Sequence, residues 1–169
     1  GTIRVTSASG GAGSAVTSTP GIYRRPHFSP DGKTIVFEKS ASGFLLSDRY
    51  AEAPGLYRIA ASGGAITKIS DGGVNPHFGK DNDRIFFQTR DGDQTKLVSV
   101  DLSGGAKRVH ASGDLLTDYQ VSPDGRHLAF RDNWAAYVMP MTPGPQEIAA
   151  GKSASATPVV KASDLAAPI

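Results

Sequence analysis

The stretch Phe28-Ser29-Pro30-Asp31-Gly32-Lys33-Thr34-Ile35-Val36-Phe37 decides the fold, because it returns as Val121-Ser122-Pro123-Asp124-Gly125-Arg126-His127-Leu128-Ala129-Phe130. Each copy is a tight turn followed by an apolar run. Proline sets φ for the first turn position, aspartate bonds its own downstream backbone, and glycine takes the positive φ that reverses the chain. A strand therefore ends at the turn and a second begins just after it.

A repeat unit emerges when other markers are followed outward. Pro26-His27-Phe28 returns as Pro76-His77-Phe78 after 50 residues and, more divergently, as Tyr119-Gln120-Val121 after another 43. Ser-Gly-Gly stands at Ser9-Gly10-Gly11, Ser62-Gly63-Gly64 and Ser103-Gly104-Gly105, with a looser Thr142-Pro143-Gly144, at spacings of 53, 41 and 39. The middle copy of the first turn is degraded to Gly79-Lys80-Asp81-Asn82.

Each unit of about 40 to 50 residues holds four strand-like segments, the pattern of a propeller blade. Second strands are read at Thr34 to Phe37, Arg84 to Phe87 and His127 to Phe130; third strands at Gly55 to Ile59, Lys96 to Val100 and Ala136 to Met139. The expected fold is all-β: a partial β-propeller of four-stranded antiparallel blades, about three complete and flanked by partial ones. The blades are placed at 22–72, 73–114 and 115–150, after a partial blade at 2–19. Residues 151–169 form a linker, or the first strand of a further blade at Ala156 to Lys161. Residues 41–54 are read as a loop insertion, unusually apolar at Phe44, Leu45, Leu46 and Tyr50.

The chain has 169 residues, 20 glycines and 11 prolines, which suits many short strands joined by tight turns. A net charge of +2, dispersed along the sequence, makes no footprint for nucleic acid. No stretch approaches the ~18 apolar residues of a membrane-spanning helix, so no membrane insertion is expected. The absence of cysteine excludes disulfides, thiolate metal sites and a thiol nucleophile. The bare Gly1 reads as the start of an excised piece.

The Pro-Asp-Gly units, Phe28 to Phe37 and Val121 to Phe130, resemble the TolB-like, WD-repeat-like propeller repeat, over residues 2 to 150. Phe130-Arg131-Asp132-Asn133-Trp134-Ala135-Ala136-Tyr137-Val138 is similar to the propeller part of exported bacterial proteins that end in an amidohydrolase domain. The resemblance implies a bacterial, periplasmic or otherwise exported protein that binds partners or gates access to an attached catalytic domain.

Chemistry of its own is not expected of the segment. His27, His77, His110 and His127 form neither His-x-His nor His-Glu-x-x-His, so no metal centre is read. Gly151-Lys152-Ser153 fails as a phosphate loop because the glycine five positions upstream is Gln146. No Gly-x-Ser-x-Gly elbow occurs. Asp81, Asp83, Asp91 and Asp93 read as solvated turn residues rather than a calcium loop. Trp134 and Tyr137, with Phe37, Phe86, Phe87 and Phe130, read as blade core.

The function expected is a non-catalytic segment for protein–protein interaction or scaffolding, with no cofactor. The alternative is an accessory, substrate-gating propeller of an amidohydrolase or peptidase whose catalytic domain lies outside the chain. Candidate channel or partner contacts are His27, His77, Gln120, Phe44, Leu45 and Tyr50. Open edges of an incomplete ring invite pairing of two copies, a homodimer of about seven blades.

Overall fold

The structure is a computed structural model that describes residues 1–19, 21–40, 53–141 and 160–161. Among these, every regular element is a strand. The chain divides into two compact units, Gly1–Phe78 and Gly79–Ile169.

In the first unit, β1 (Arg4–Ser7) and β2 (Gly10–Ala15) form a hairpin, and β3 (Tyr23–Phe28), β4 (Thr34–Lys39), β5 (Gly55–Ala60) and β6 (Thr67–Ser70) form a four-stranded antiparallel meander in that order. β7 (Val74–Phe78) closes the unit and lies against β3 and β4. Ile3 and Val16 of the hairpin region pack on Ile35, Phe37, Tyr57 and Ile59, so the two-stranded piece covers one face of the meander. Its rings stack in sequence: Tyr23 meets Phe37 edge-on at 5.3 Å, and Phe37 stacks on Tyr57 at 6.1 Å. Such pairs add to area burial a directional preference that helps fix register.

In the second unit, β8 (Arg84–Asp91), β9 (Gln94–Asp101) and β10 (Arg108–Gly113) are antiparallel neighbours, and β11 (Leu116–Val121), β12 (His127–Asp132) and β13 (Ala135–Pro140) form a three-stranded meander. Phe86, Leu97, Ala111, Leu116, Tyr119, Val121, Leu128, Phe130 and Met139 make one core between these two sheets. Residues 156–161 are read from sequence as the start of a further blade; in the structure the two-residue β14 (Val160–Lys161) lies parallel to β10, opposite Ala111 and Ser112.

The turn read from sequence is built twice with the same bonds. Ser29 Oγ donates to Asp31 at 2.6 Å and accepts from the Thr34 amide at 3.0 Å, while the Lys33 amide donates to Asp31 at 3.0 Å. Ser122 Oγ donates to Asp124 at 2.5 Å and accepts from the His127 amide at 2.9 Å, and the Arg126 amide donates to Asp124 at 3.0 Å. Gly32 and Gly125 stand at φ 70° and 71°. The serine is as necessary as the Pro-Asp-Gly, since it bonds both sides of the turn. These bonds hold the Asp31 and Asp124 carboxyls below the usual carboxylate range, the serine hydroxyl contributing most.

One core expectation is corrected. Trp134 is not blade core but 99% exposed, because it sits in the two-residue turn between β12 and β13, beside Asn133 at φ 53°. Phe37, Phe86, Phe87 and Phe130 are buried, and Tyr137 stacks on Phe130 at 5.6 Å.

Candidate functional site: the bulged first strands

The first strand of each repeat is kinked at one equivalent position. Arg25, Asn75 and Asp118 all have positive φ, at 48°, 57° and 45°. In β3 the register with β4 shifts between Arg24 and His27, and in β11 the register with β12 shifts between Thr117 and Gln120. A β-bulge re-aims the side chains around it and bends the strand, and a non-glycine residue in this region is held there only by its surroundings. Arg25 and Asn75 each precede a proline, which restricts them further.

In the first unit the surroundings are visible. Glu38, buried on β4, accepts from Arg25 Nη1 at 2.9 Å and from the backbone amide of Asn75. One carboxylate thus ties the bulge of β3 to the kinked backbone of β7. In the second unit Gln88, which stands at the position of Glu38, donates from Nε2 to the Leu116 carbonyl at 2.8 Å, just before the bulge of β11. Arg131, at the same position on β12, pairs with Asp118 at 2.9 Å and with Thr117 Oγ1 at 3.2 Å.

Two residues past the kink come His27, His77 and Gln120. His27 and Gln120 are exposed and His77 is partly buried. The rings of His27 and His77 lie 6.0 Å apart, tilted by 55°. Burial pushes His77 down to about 4, with His27 adding to the shift, and burial also lowers His27. The pair is neutral near pH 7. Phe44, Leu45 and Tyr50 lie outside the described residues.

Sequence reasoning missed a buried polar chain in the second unit. Arg84 Nη1 donates to Ser99 Oγ at 3.1 Å and to the Ala106 carbonyl at 3.0 Å, and Ser99 Oγ lies 2.8 Å from His110 Nε2. Burial, aided by Arg84 and Arg108, pushes His110 down to about 4. The imidazole is therefore neutral at pH 7. Ser99 is fully buried, so this Ser–His pair has no route to a substrate carbonyl. No group of three or more His, Asp or Glu among the described residues is arranged to hold a metal ion.

The arrangement of these antiparallel sheets is matched in solved structures. The fold is that of TolB. TolB from Acinetobacter baumannii superposes with a TM-score of 0.63 at 22% identity, over 86% of this chain and 39% of that one. The protein described as TolB from Agrobacterium tumefaciens gives 0.60 at 19% identity, over 83% of this chain and 53% of that one. The chain thus spans about two fifths to one half of the TolB chains it matches, and its architecture is a partial β-propeller of antiparallel four-stranded blades. No protein-family model matches the sequence, and no curated protein matches it. The finer resemblance to amidohydrolase-associated propellers has no counterpart in these two structures.

Proposed function

We propose that the chain is a protein-binding or scaffolding segment of a β-propeller from an exported bacterial protein, and that it carries no catalysis of its own. Its blades are 22–72, 73–114 and 115–150. The observation that carries the reading is a contrast between what the repeats keep and what they vary. The turn bonds of Ser29 and Asp31 are reproduced by Ser122 and Asp124, and the strand kink recurs at Arg25, Asn75 and Asp118. The side chains exposed at and after that kink change in charge and shape between the first and third repeats: Arg25 with His27, Asp118 with Gln120. A fixed frame with variable display is how repeat scaffolds make binding surfaces.

The test is site-specific photo-crosslinking in periplasmic extract, with a benzoylphenylalanine at His27 or at Gln120 and, as a control, at the turn residue Lys33. Discrete adducts from the two display positions, abolished by Arg25→Glu or Asp118→Arg respectively and absent at Lys33, are expected. Adducts equal at all three positions, or at none, overturn the reading.

A further inference from the structure

The kinked first strands of the first unit bring two imidazoles together. Past the bulge of β3, His27 stands opposite Val36, and directly opposed residues share a face. Glu38, two residues along β4 from Val36, lies on that same face and accepts from the Asn75 amide of β7. The face is therefore the one turned to β7, and there the His27 and His77 rings lie 6.0 Å apart at a tilt of 55°. Both residues belong to the first unit.

The frame does not require this pair. The third repeat builds the same kink at Asp118 and carries Gln120 two residues on, so neither the bulge nor the strand needs an imidazole there. What the pair adds is ring nitrogens with available lone pairs, because burial keeps both rings neutral at pH 7. A neutral imidazole ligates a metal without first giving up a proton. Of the charged groups on this face, Arg25 is paired with Glu38 at 2.9 Å, and Arg24, opposite Glu38, is exposed to water that screens it.

The spacing suits chelation. Two imidazoles that share a metal at ~2.0–2.1 Å per bond hold their ring centres about 4.5–6.4 Å apart, according to the nitrogen–metal–nitrogen angle. The observed 6.0 Å lies inside that range. A small rotation of the exposed His27 side chain brings the centres to the ~5.2 Å of a tetrahedral angle. Among the described residues no third His, Asp or Glu completes a ligand set, so water fills the remaining positions. Imidazole donors without carboxylate or thiolate select zinc, nickel and copper over calcium and magnesium, and copper binds tightest of the three.

We propose that His27 and His77 chelate one late first-row divalent ion, Cu2+ most tightly, and so join β3 to β7 beside the bonds of Glu38. The site needs no protein partner. Its test uses the purified chain alone and stands or falls apart from the binding role proposed above.

The experiment is calorimetric titration of the full, chelator-stripped chain with CuCl2 at pH 7, in a buffer that does not bind metals. One ion per chain is expected, with Kd on the order of 1–100 µM for a site with half the ligands of a structural zinc centre. Zn2+ binds more weakly at the same stoichiometry. His27→Ala and His77→Gln each weaken binding at least ~tenfold, and the double variant is no weaker than either, because one loss already ends chelation. His127→Ala leaves it unchanged. Saturating Cu2+ raises the urea midpoint of the wild type and not that of His27→Ala, whose exposed position keeps the test valid should His77→Gln fold poorly. Equal affinity in His27→Ala, which would place the ion on the N-terminal amine or on His127, overturns the proposal, and so does the absence of saturable binding below ~1 mM.

Discussion

Arg25 and Glu38 lie 2.9 Å apart between β3 and β4, and the positions they occupy are filled in the third repeat by Asp118 and Arg131, also 2.9 Å apart, with the charges exchanged. The frame fixes where an ion pair sits and leaves its polarity free. The two pairs differ in burial, however: Glu38 is buried, whereas Arg131 and Asp118 are both exposed.

Glu38→Ala therefore costs far more than Arg131→Ala. Removing the buried carboxylate takes an acceptor from the Asn75 amide and releases Arg25, at about 2–3 kcal/mol. Removing the exposed guanidinium costs less than about 1 kcal/mol. Urea unfolding of the two variants measures the difference, and equal costs would show that the Glu38 tie between β3 and β7 carries no stability. Glu38→Gln retains an acceptor for Asn75 and recovers part of the loss.

Acid acts on the histidines before the aspartates. His77 and His110 both stand at about 4 when folded, against an ordinary 6.5, so the unfolded chain binds their protons first. Their contribution is fully present above pH 6.5 and is lost as pH falls towards 4, by roughly 3 kcal/mol each as an upper bound. The Asp31 and Asp124 carboxyls, held low by their serines, keep their contribution until the pH falls below the ordinary carboxylate range. Unfolding free energies at a series of pH values should decline from pH 6.5, and the decline should be shallower in His77→Asn. A stability flat from pH 7 to pH 4.5 contradicts the buried, neutral assignment of both rings.

Two glycines at positive φ separate strain from collision. A Cβ on Gly32, φ 70°, meets nothing within 4 Å, so Gly32→Ala costs only the left-handed conformation, about 1 kcal/mol. On Gly55, φ 150°, it would stand 2.2 Å from the Ser70 carbonyl oxygen, where β5 begins its pairing with β6. Gly55→Ala displaces backbone and should abolish cooperative folding of the first unit, seen as loss of near-ultraviolet dichroism. A mild, Gly32-like effect would mean that β6 yields easily.

The frame was legible because its punctuation is local. Ser29-Pro30-Asp31-Gly32 and Ser-Gly-Gly close bonds within a few residues, and the apolar runs between them fall where β4, β8 and β12 stand. What was not legible depends on distant partners. Nothing near Arg25 announces a positive φ, and the proline after it argues against one; the kink is held by Glu38, 13 residues away. His110 finds Ser99 only through the β9–β10 register, which itself shifts between Val109 and Ala111. Trp134 reads as core because it follows the aromatics of the repeating strands, although the Asp132-Asn133 before it is a turn signal.

The Ser99–His110 pair offers the sharpest check on catalysis. Its 2.8 Å separation is that of a nucleophile and its base, but Arg84 donates to the same hydroxyl oxygen and β8–β10 packing excludes solvent from it. The pair then serves folding: the serine satisfies both the guanidinium and the imidazole inside the sheet. Ser99→Ala takes a partner from the buried imidazole and from the part-buried guanidinium and should cost about 1–3 kcal/mol. A fluorophosphonate probe should leave the native chain unlabelled, because a hydroxyl without access to water cannot attack phosphorus. Labelling of the wild type that disappears in Ser99→Ala, at native stability, would make Ser99 a nucleophile and end the reading of this segment as a scaffold without chemistry.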